Sequence, residues 1–427
     1  MTDEITISPG GSLKGSVELP GDKSISHRSL LFNALASGPS RITGLLVSED
    51  VDATRRAVEA LGARVVLDGH DLIVHPPTGG LVEPADVIDC GNSGTTIRLL
   101  AGVLASQPFF SVLTGDASLR NRPMKRVTKP LARMGAKFDG RQGADRPPLA
   151  VRGRKLKMTH HDLPMASAQV KSALLLAGLN SGVAVREPRQ SRDHSERMLM
   201  RMGCTLRKDS EDWLVLLPPD QLDPCDVHVP RDISAAAFFI VAANLVEGSE
   251  IFLENVGINP TRTGILDVLT TMGADVQVYP KKLDGAEPVA DILARYSPLV
   301  GTTIKGDLTL RSLDELPVLA IAAAFAEGET HIRDAAELRV KESDRIGRVC
   351  DGLRAMGIYV DEREDGMTIT GGLPLGGATI DASGDHRIAM AFAIAALRVR
   401  KGLTIRGADS IASSYPLFFA HLEALQE

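Results

Sequence analysis

A lysine, a serine and an arginine follow a Pro-Gly pair near the start of the chain, at residues 20–28. Proline and glycine favour a turn, and the apolar run at 29–36 is typical of a buried helix. Lys23, Ser24 and Arg28 would then lie at the N-terminus of that helix. Its unsatisfied N–H groups and partial positive charge suit a bound anion. The alternative is a capped helix with two solvated cations, and these residues alone do not decide between the two.

The same layout recurs along the chain. Six Ala- and Leu-rich segments each begin directly after a polar residue, namely Ser24, Ser93, Ser167, Asp232, Asp314 and Asp385. Each segment is apolar nearly all round, which indicates a helix buried on every side. A short strand, an amphipathic helix and two further strands follow in each copy. The sequence therefore predicts one α/β unit repeated six times, with the last copy ending after its amphipathic helix.

Six buried helices are too many for one core of ordinary size, so we expect three in each of two similar domains. Pro20-Gly21 and the proline-rich residues 218–230 are the candidate linkers. This gives one domain of residues 1–20 plus 229–427, and an inserted domain of residues 21–228. The fold class is α/β, with parallel buried helices in each domain and the active site in the cleft between them. The spacing between successive segment starts is longest from Asp232 to Asp314, which suggests an inserted surface loop around residues 281–303.

Composition narrows the class of protein. Hydrophobic residues make up 44% and charged residues 24%, as in soluble globular proteins. A net charge of −6 and 4% aromatic residues argue against a nucleic-acid surface. The four cysteines are widely spaced, the N-terminus lacks the features of a signal peptide, and no uncharged run is long enough to span a membrane. We therefore expect a cytoplasmic protein without nucleic-acid or membrane partners, and the histidine spacing predicts no metal site.

Four motifs carry a resemblance to a known family. They lie at residues 20–28, 91–98, 339–345 and 385–387, the last reading Asp-His-Arg. The chain resembles the 5-enolpyruvylshikimate-3-phosphate synthases, which are enolpyruvyl transferases of aromatic amino-acid biosynthesis, along its whole length. The resemblance implies substrates bound between two domains that close on binding. It implies transfer of the enolpyruvyl group of phosphoenolpyruvate to the 5-hydroxyl of 3-phosphoshikimate, without cofactor or metal. We expect a monomer acting on these small molecules alone.

The resemblance also assigns residues. It implies Asp314 as the base toward the 5-hydroxyl and Glu342 as the acid toward the methylene carbon, with Lys23 as the reserve acid. For 3-phosphoshikimate the implied contacts are Lys23, Ser24, Arg28, Ser167, Ala168, Gln169, Asp314 and Lys341. For phosphoenolpyruvate they are Lys23, Gly94, Arg122, Gln169, Arg345 and Arg387. Lys341 and Arg345 would favour the ionised form of Glu342, which is unsuited to an acid, whereas bound phosphoenolpyruvate would oppose them.

Several positions depart from the best-known form of the family. Ala168 replaces the second of two serines, and Lys171 is near enough to compensate. A tyrosine contact is missing at 191–194, Ser413 stands near the place of a lysine, and Glu337 replaces an asparagine. These changes resemble the second large subgroup of the family. Gly94 leaves room for glyphosate, the family's inhibitor, and this favours a sensitive enzyme.

Two other functions are open. The sister transferase acting on UDP-N-acetylglucosamine shares the architecture, but it has a reactive cysteine in the loop corresponding to residues 115–122. That loop contains no cysteine here, and the motif at 23–28 favours the shikimate enzyme. A non-catalytic repeat scaffold would instead need an exposed apolar groove for a protein partner.

Overall fold

The computed structural model describes residues 4–281, 286–372 and 376–426. Within them the chain forms two compact units. The terminal unit comprises residues 4–20, 230–281, 288–372 and 376–426, and the inserted unit comprises Gly21–Val229 with Ala286 and Glu287. Val229 ends the inserted unit because its N–H donates to the Thr43 carbonyl at 2.9 Å. Each unit has its own hydrophobic core.

The centre of each core consists of three helices. The six are Lys23–Asn33, Gly94–Ala105, Ala168–Ala177, Ile233–Leu245, Leu316–Phe325 and His386–Ala396. Their apolar residues are spread around the whole helix, so each must be covered on every side. In Ile233–Leu245, for example, every residue is buried.

The polar residues before these helices act largely as caps. Asp22 caps the first helix by accepting the Ile25 N–H at 2.9 Å, and Ser24 is the second residue of that helix. Ser93 accepts the N–H of Thr96 at 3.1 Å. Ser167, Asp232 and Asp385 also cap their helices. Each cap satisfies one N–H that the helix leaves unpaired.

A second, amphipathic helix follows in each repeat. These helices are Glu49–Ala60, Lys125–Met134, His194–Arg201, Gly264–Thr271, Arg345–Ala355 and Phe418–Ala424. Shorter helical turns are Arg141–Ala144, Leu119–Asn121, Gly178–Asn180, Asp307–Arg311, Ala336–Val340 and Ala408–Ser413. Five of the amphipathic helices are followed by a glycine with φ between 85° and 121°, a conformation that favours glycine, namely Gly62, Gly135, Gly203, Gly273 and Gly357.

The sheets share one topology. The first strand of each repeat pairs with a parallel edge strand on one side and with the antiparallel last strand on the other. Among its described residues the inserted unit has three four-stranded sheets, with the strands of each in spatial order as follows. The first is Val227–His228, Ser40–Thr43, Asp71–His75 and Arg64–Asp68, and the second is Ile88–Asp89, Phe110–Thr114, Arg146–Arg152 and Lys137–Gly140. The third is His160–Asp162, Val183–Arg186, Leu214–Leu217 and Thr205–Lys208. Within the described ranges the terminal unit has two four-stranded sheets and one three-stranded sheet. The first is Lys14–Val17, Glu250–Gly257, Val289–Arg295 and Asp275–Pro280, and the second is Thr303–Ile304, Gly328–Ile332, Gly366–Gly371 and Tyr359–Arg363. The third is Ala378–Asp381, Leu403–Arg406 and Glu4–Ile7.

The edge strands of the first and fourth repeats are exchanged. Lys14–Val17 precedes the first buried helix but pairs with Glu250–Gly257 in the fourth repeat. Val227–His228 precedes the fourth buried helix but pairs with Ser40–Thr43 in the first. Glu4–Ile7 pairs antiparallel with Leu403–Arg406, where the other repeats place their own last strand. Glu4–Ile7 therefore completes the sheet of the sixth repeat.

One expectation about a loop was wrong. Residues 281–303 were expected to form a surface insertion, but Val289–Arg295 is an inner strand of the fourth sheet. Ala290, Ile292 and Ala294 alternate along it and are fully buried. Residues 282–285, also in this stretch, lie outside the described residues.

The buried helices contact one another near their N-termini within each unit. In the inserted unit Arg98 Nη1 donates to Gln169 Oε1 at 2.7 Å, and Arg28 Nη2 donates to Ser172 Oγ at 2.9 Å. In the terminal unit Arg387 Nη1 donates to the Asp314 carbonyl at 3.0 Å, and the Ser234 hydroxyl donates to Glu315. The N-termini of the three helices in each unit therefore lie on the same side, as expected of parallel helices.

Close packing of two helices gives the first prediction. A Cβ at Gly102 would lie 2.2 Å from the carbonyl oxygen of Ala173 on the neighbouring helix. Gly102→Ala should therefore lower the free energy of unfolding by about 1–3 kcal/mol, because backbone must move. Urea denaturation of the purified protein measures the change.

The matched control is Gly347→Ala. A Cβ there meets only the Asp344 side chain, at 3.3 Å. Its effect should stay below about 1 kcal/mol, since a helical alanine also gains propensity over glycine. A Gly102→Ala variant as stable as the parent would show that the two helices are not packed as described.

Candidate active site

Lys23 is the first residue of the first buried helix. Its ammonium lies 2.5 Å from Asp50 Oδ2, on the amphipathic helix of the same repeat. The two side chains are only 18% and 10% exposed. Lys23 is therefore an oriented, mostly buried cation, and the alternative of a solvated surface lysine is wrong. Ser24, the next residue, is half-buried.

Arg28 lies one turn further into the same helix and is buried. Its guanidinium donates to Ser195 Oγ at 2.8 Å, to Ser172 Oγ at 2.9 Å and to the Ser24 carbonyl at 2.9 Å. Burial lowers the pKa of Arg28 to about 10, and the like charge of Arg192 acts in the same direction. Arg28 is thus charged at neutral pH while its hydrogen-bond partners are neutral.

Two further guanidiniums lie beside Gly94, that of Arg98 on the second buried helix and that of Arg122 directly after the turn Leu119–Asn121. A Cβ on Gly94 would lie 2.9 Å from Arg98 Nη1 and 3.0 Å from Arg122 Nη1. Both arginines are buried, and Arg122 Nη2 donates to Asn92 Oδ1 at 2.5 Å. The absent side chain of Gly94 lets both guanidiniums approach the helix N-terminus. Two forked donors beside free N–H groups are well suited to a phosphate or carboxylate.

The third buried helix begins with Ser167 as cap and Ala168 as first residue, both half-buried. Gln169 links it to the second helix. Its Oε1 accepts from Arg98 at 2.7 Å, and its Nε2 donates to Thr95 Oγ1 at 3.1 Å. Gln169 therefore holds the two helix N-termini together.

Lys171 does not replace the hydroxyl that is absent at Ala168. Its ammonium lies 2.8 Å from Glu187 Oε2 and 2.7 Å from Glu196 Oε1, and the side chain is 3% exposed. Burial alone would lower the pKa of Lys171, but the two carboxylates outweigh it and the pKa is raised. The expectation that Lys171 compensates for the missing serine is contradicted, because its ammonium is held in this buried cluster.

A chain of buried hydroxyls connects the first helix to the second. His27 Nδ1 lies 2.7 Å from Thr54 Oγ1, which lies 2.6 Å from Thr96 Oγ1. Thr96 Oγ1 donates to Ser93 Oγ at 2.7 Å. Each hydroxyl has one hydrogen, so Thr54 must donate to Thr96, and His27 must donate from Nδ1. Burial, with the charges of Lys23 and Arg28, holds the pKa of His27 well below its usual value, so the ring is neutral.

In the terminal unit Arg345 lies at the centre of three carboxylates. Its Nε donates to Asp385 at 2.8 Å, its Nη2 to Glu342 at 2.5 Å and its Nη1 to Asp314 at 3.3 Å. The side chain is 1% exposed. Burial opposes the charged form, but Asp385, Glu342 and Asp314 outweigh it and raise the pKa of Arg345.

Asp314 also faces two other cations. Its carboxylate lies 3.8 Å from Lys341 Nζ and 3.8 Å from Arg387 Nη2. Burial lowers the pKa of Lys341, although Asp314 acts against it. Glu315, which is fully buried, lies 3.9 Å from Arg387 Nη1. The terminal unit thus brings together all five of its expected site residues, Asp314, Lys341, Glu342, Arg345 and Arg387.

The expected site residues of the inserted unit and those of the terminal unit differ in charge. In the inserted unit Arg28, Arg98 and Arg122 donate to hydroxyl, amide and carbonyl oxygens. In the terminal unit each expected cation instead lies near a carboxylate. Positive charge therefore predominates among the inserted-unit residues, whereas the terminal-unit residues are balanced.

Three residues beside these groups were not anticipated. Arg98 lies in the second turn of its helix, as Arg28 does in the first helix, and this repetition could have identified it. Arg192 and Glu315 had no such signal. Among the described residues no three His, Cys, Asp or Glu side chains form a metal-binding group, and no helix has the length and apolarity to cross a membrane.

The comparison with known proteins identifies the family. The sequence model of EPSP synthase (3-phosphoshikimate 1-carboxyvinyltransferase) matches residues 7–422. The chain belongs to the EPSP synthase family. A 3-phosphoshikimate 1-carboxyvinyltransferase of Pelobacter propionicus is 50% identical over 424 residues, 99% of this chain and 98% of the relative. The resemblance based on the four motifs is thereby confirmed.

Solved structures agree with this EPSP synthase assignment. An EPSP synthase from Acinetobacter baumannii has a TM-score of 0.87 and 44% identity, over 99% of this chain and 98% of that one. The enolpyruvyl transferase NikO from Streptomyces tendae, at 21% identity and a TM-score of 0.80, shares the fold. The predicted α/β class is confirmed, and family and relatives favour the shikimate enzyme over the UDP-N-acetylglucosamine transferase.

The buried neutral His27 predicts how stability depends on pH. Below about pH 6.5 the unfolded chain protonates this histidine, whereas the folded protein holds it neutral. The free energy of unfolding should therefore fall as the pH drops, by up to about 1.4 kcal/mol per pH unit from this one group. His27→Asn should remove that contribution, as measured by urea denaturation between pH 7.5 and about pH 5.

The exposed His70 provides the control, because His70→Asn should leave the slope of stability against pH unchanged. If the parent and His27→Asn differ by the same amount at every pH, His27 is not held neutral in the folded state.

Proposed function

We propose that this chain transfers the enolpyruvyl group of phosphoenolpyruvate to the 5-hydroxyl of 3-phosphoshikimate and releases phosphate. The names of its full-length relatives support this activity. The structural observation that carries the proposal is the set of buried arginines at the helix N-termini of the inserted unit, Arg28, Arg98 and Arg122.

The charge of the substrates explains the need for these arginines. Phosphoenolpyruvate and 3-phosphoshikimate together bring two phosphates and two carboxylates, roughly five to six negative charges near neutral pH. Moving such anions out of water costs many kcal/mol unless cations and N–H donors replace the water. Buried guanidiniums supply both, since each is a cation with several N–H donors in a fixed, forked geometry.

We assign the substrate contacts as follows. Lys23, Ser24, Arg28, Ser167, Ala168, Gln169, Asp314 and Lys341 bind 3-phosphoshikimate, and Lys23, Gly94, Arg122, Gln169, Arg345 and Arg387 bind phosphoenolpyruvate. The structure suggests two additions. Arg192 joins the first set because its charge acts on Arg28, and Arg98 joins the second because it lies beside Gly94.

The proton transfers fall to the carboxylates of the terminal unit. Asp314 accepts the proton of the 5-hydroxyl as its oxygen attacks C2 of phosphoenolpyruvate, while Glu342 delivers a proton to the methylene carbon. The resulting adduct loses phosphate when Glu342 removes a proton from the new methyl group, and the proton held by Asp314 leaves with the phosphate. Lys23 neutralises charge on the phosphate and is the reserve acid. Two carboxyl groups in opposite protonation states are required, and no cofactor or metal takes part.

We further propose that the enzyme acts as a monomer in the cytoplasm, on small-molecule substrates and without a nucleic-acid or membrane partner. The family and the names of the relatives support the small-molecule substrates.

Phosphate release tests the activity. The purified protein should release phosphate when phosphoenolpyruvate and 3-phosphoshikimate are both present, and should form the enolpyruvyl ether detectable by mass spectrometry. Omission of either substrate is the control. Turnover with UDP-N-acetylglucosamine in place of 3-phosphoshikimate would instead support the sister enzyme.

Substitution of Arg122 and of Arg28 should each raise the KM for a different substrate. Loss of a charged hydrogen bond costs about 1.5–3 kcal/mol, or roughly tenfold to a hundredfold in affinity. Arg122→Ala should raise the KM for phosphoenolpyruvate by this factor and leave that for 3-phosphoshikimate nearly unchanged. Arg28→Ala should do the reverse, and steady-state kinetics measure both.

Arg120→Ala is the matched control. Arg120 is an exposed arginine of the same segment as Arg122, and it donates to the Gly115 carbonyl at 2.9 Å. Both KM values should remain at the parent level. Equal losses for both substrates in Arg122→Ala would refute its assignment.

A further inference from the structure

Arg345 presents a difficulty for anion binding. All three of its nitrogens face carboxylates of the terminal unit, Asp385, Glu342 and Asp314. The guanidinium is almost completely buried. Four of its five N–H groups donate to these carboxylates, so an anion can make a forked, two-bond contact with Arg345 only if one carboxylate gives up its contact.

Glu342 is the carboxylate that can leave most easily. Its side chain is 22% exposed, compared with 14% for Asp314 and 0% for Asp385. Asp385 accepts two bonds from Arg345 and also caps the helix His386–Ala396. Asp314 is held from other sides by Lys341 and Arg387.

We propose that phosphoenolpyruvate displaces Glu342 from Arg345, and that Glu342 then takes up a proton from solvent. This inference rests on the function proposed above. The ion pair between Arg345 and Glu342 breaks, and a pair between Arg345 and the anionic substrate forms. The proton that Glu342 gains is the one it later delivers to the methylene carbon, and it takes a proton back from the new methyl group when phosphate leaves.

The charges around Glu342 favour this exchange. In the free protein the Arg345 contact at 2.5 Å and the neighbouring Lys341 stabilise the ionised form. Asp314, Asp385 and Glu337 face these same two cations. When the substrate takes Arg345, Glu342 loses its ion pair and lies near a new anion, and both changes favour the neutral acid. The substrate thus prepares the acid that it needs.

Proton uptake during binding tests the proposal. Phosphoenolpyruvate is titrated calorimetrically into the enzyme saturated with 3-phosphoshikimate lacking the 5-hydroxyl, so that no reaction follows. Buffers of different ionisation enthalpy at pH 8 report the protons exchanged. A phosphate group with a second pKa near 6 is already fully ionised at this pH, so the ligand itself contributes little. We expect uptake approaching about one proton for each phosphoenolpyruvate bound.

Two variants assign the proton. Glu342→Gln should still bind phosphoenolpyruvate but lose the uptake. Glu362→Gln is the matched control, because Glu362 pairs with Arg339 and Arg354 in the same repeat and should keep the uptake. Infrared difference spectra should show the C=O band of a protonated carboxyl on binding in the parent but not in Glu342→Gln.

Binding without proton uptake in the parent would overturn the proposal. So would uptake that persists in Glu342→Gln, since it would belong to another group such as Lys341. Absence of turnover with the authentic substrates would instead contradict the proposed function itself. The two failures are therefore distinguishable.

Discussion

Burial of the six central helices on every side is the constraint on which the rest of the structure depends. A helix whose whole circumference is covered by apolar contacts can offer other molecules only its ends. In each unit hydrogen bonds made by side chains near the helix starts hold three helix N-termini on one side. The free N–H groups and the partial positive charge of these three ends therefore lie close together, and the polar and charged site residues lie beside them.

This constraint also explains how far the fold could be predicted. A helix that is apolar all round is readable from its own residues, so the six buried helices were found. Edge strands such as Thr303–Ile304 consist of two residues, too few for any alternation to be recognised. Val289–Arg295 does alternate between buried and partly exposed residues. It lies in the longest spacing between two repeats, however, and that extra length suggested an inserted loop instead of a strand. The exchange of edge strands depends on pairing between distant residues, which no local pattern reports.

The candidate site could likewise be predicted only in part from the sequence. Residue types and motifs predict Lys23, Arg28 and Arg122 as site residues, and Arg98 lies at a similar helix position to Arg28. The contacts of Arg345 could not be foreseen, because Asp314 and Asp385 are 31 and 40 residues away in sequence. Their effect is a difference in chemical character between the units. Arginines with neutral hydrogen-bond partners suit binding, while carboxylates held by cations suit proton transfer, since their protonation can follow the charge brought by a ligand.

The exchanged strands also fix an order of events during synthesis. Every strand of the inserted unit lies between residues 40 and 228, so all its partners are available once that part has left the ribosome. The terminal unit needs Glu4–Ile7 to meet Leu403–Arg406, which is made about 400 residues later. At about 5–20 residues per second Glu4–Ile7 waits tens of seconds for its partner. A nascent chain therefore holds every strand of the inserted unit well before the first strand of the terminal unit can pair.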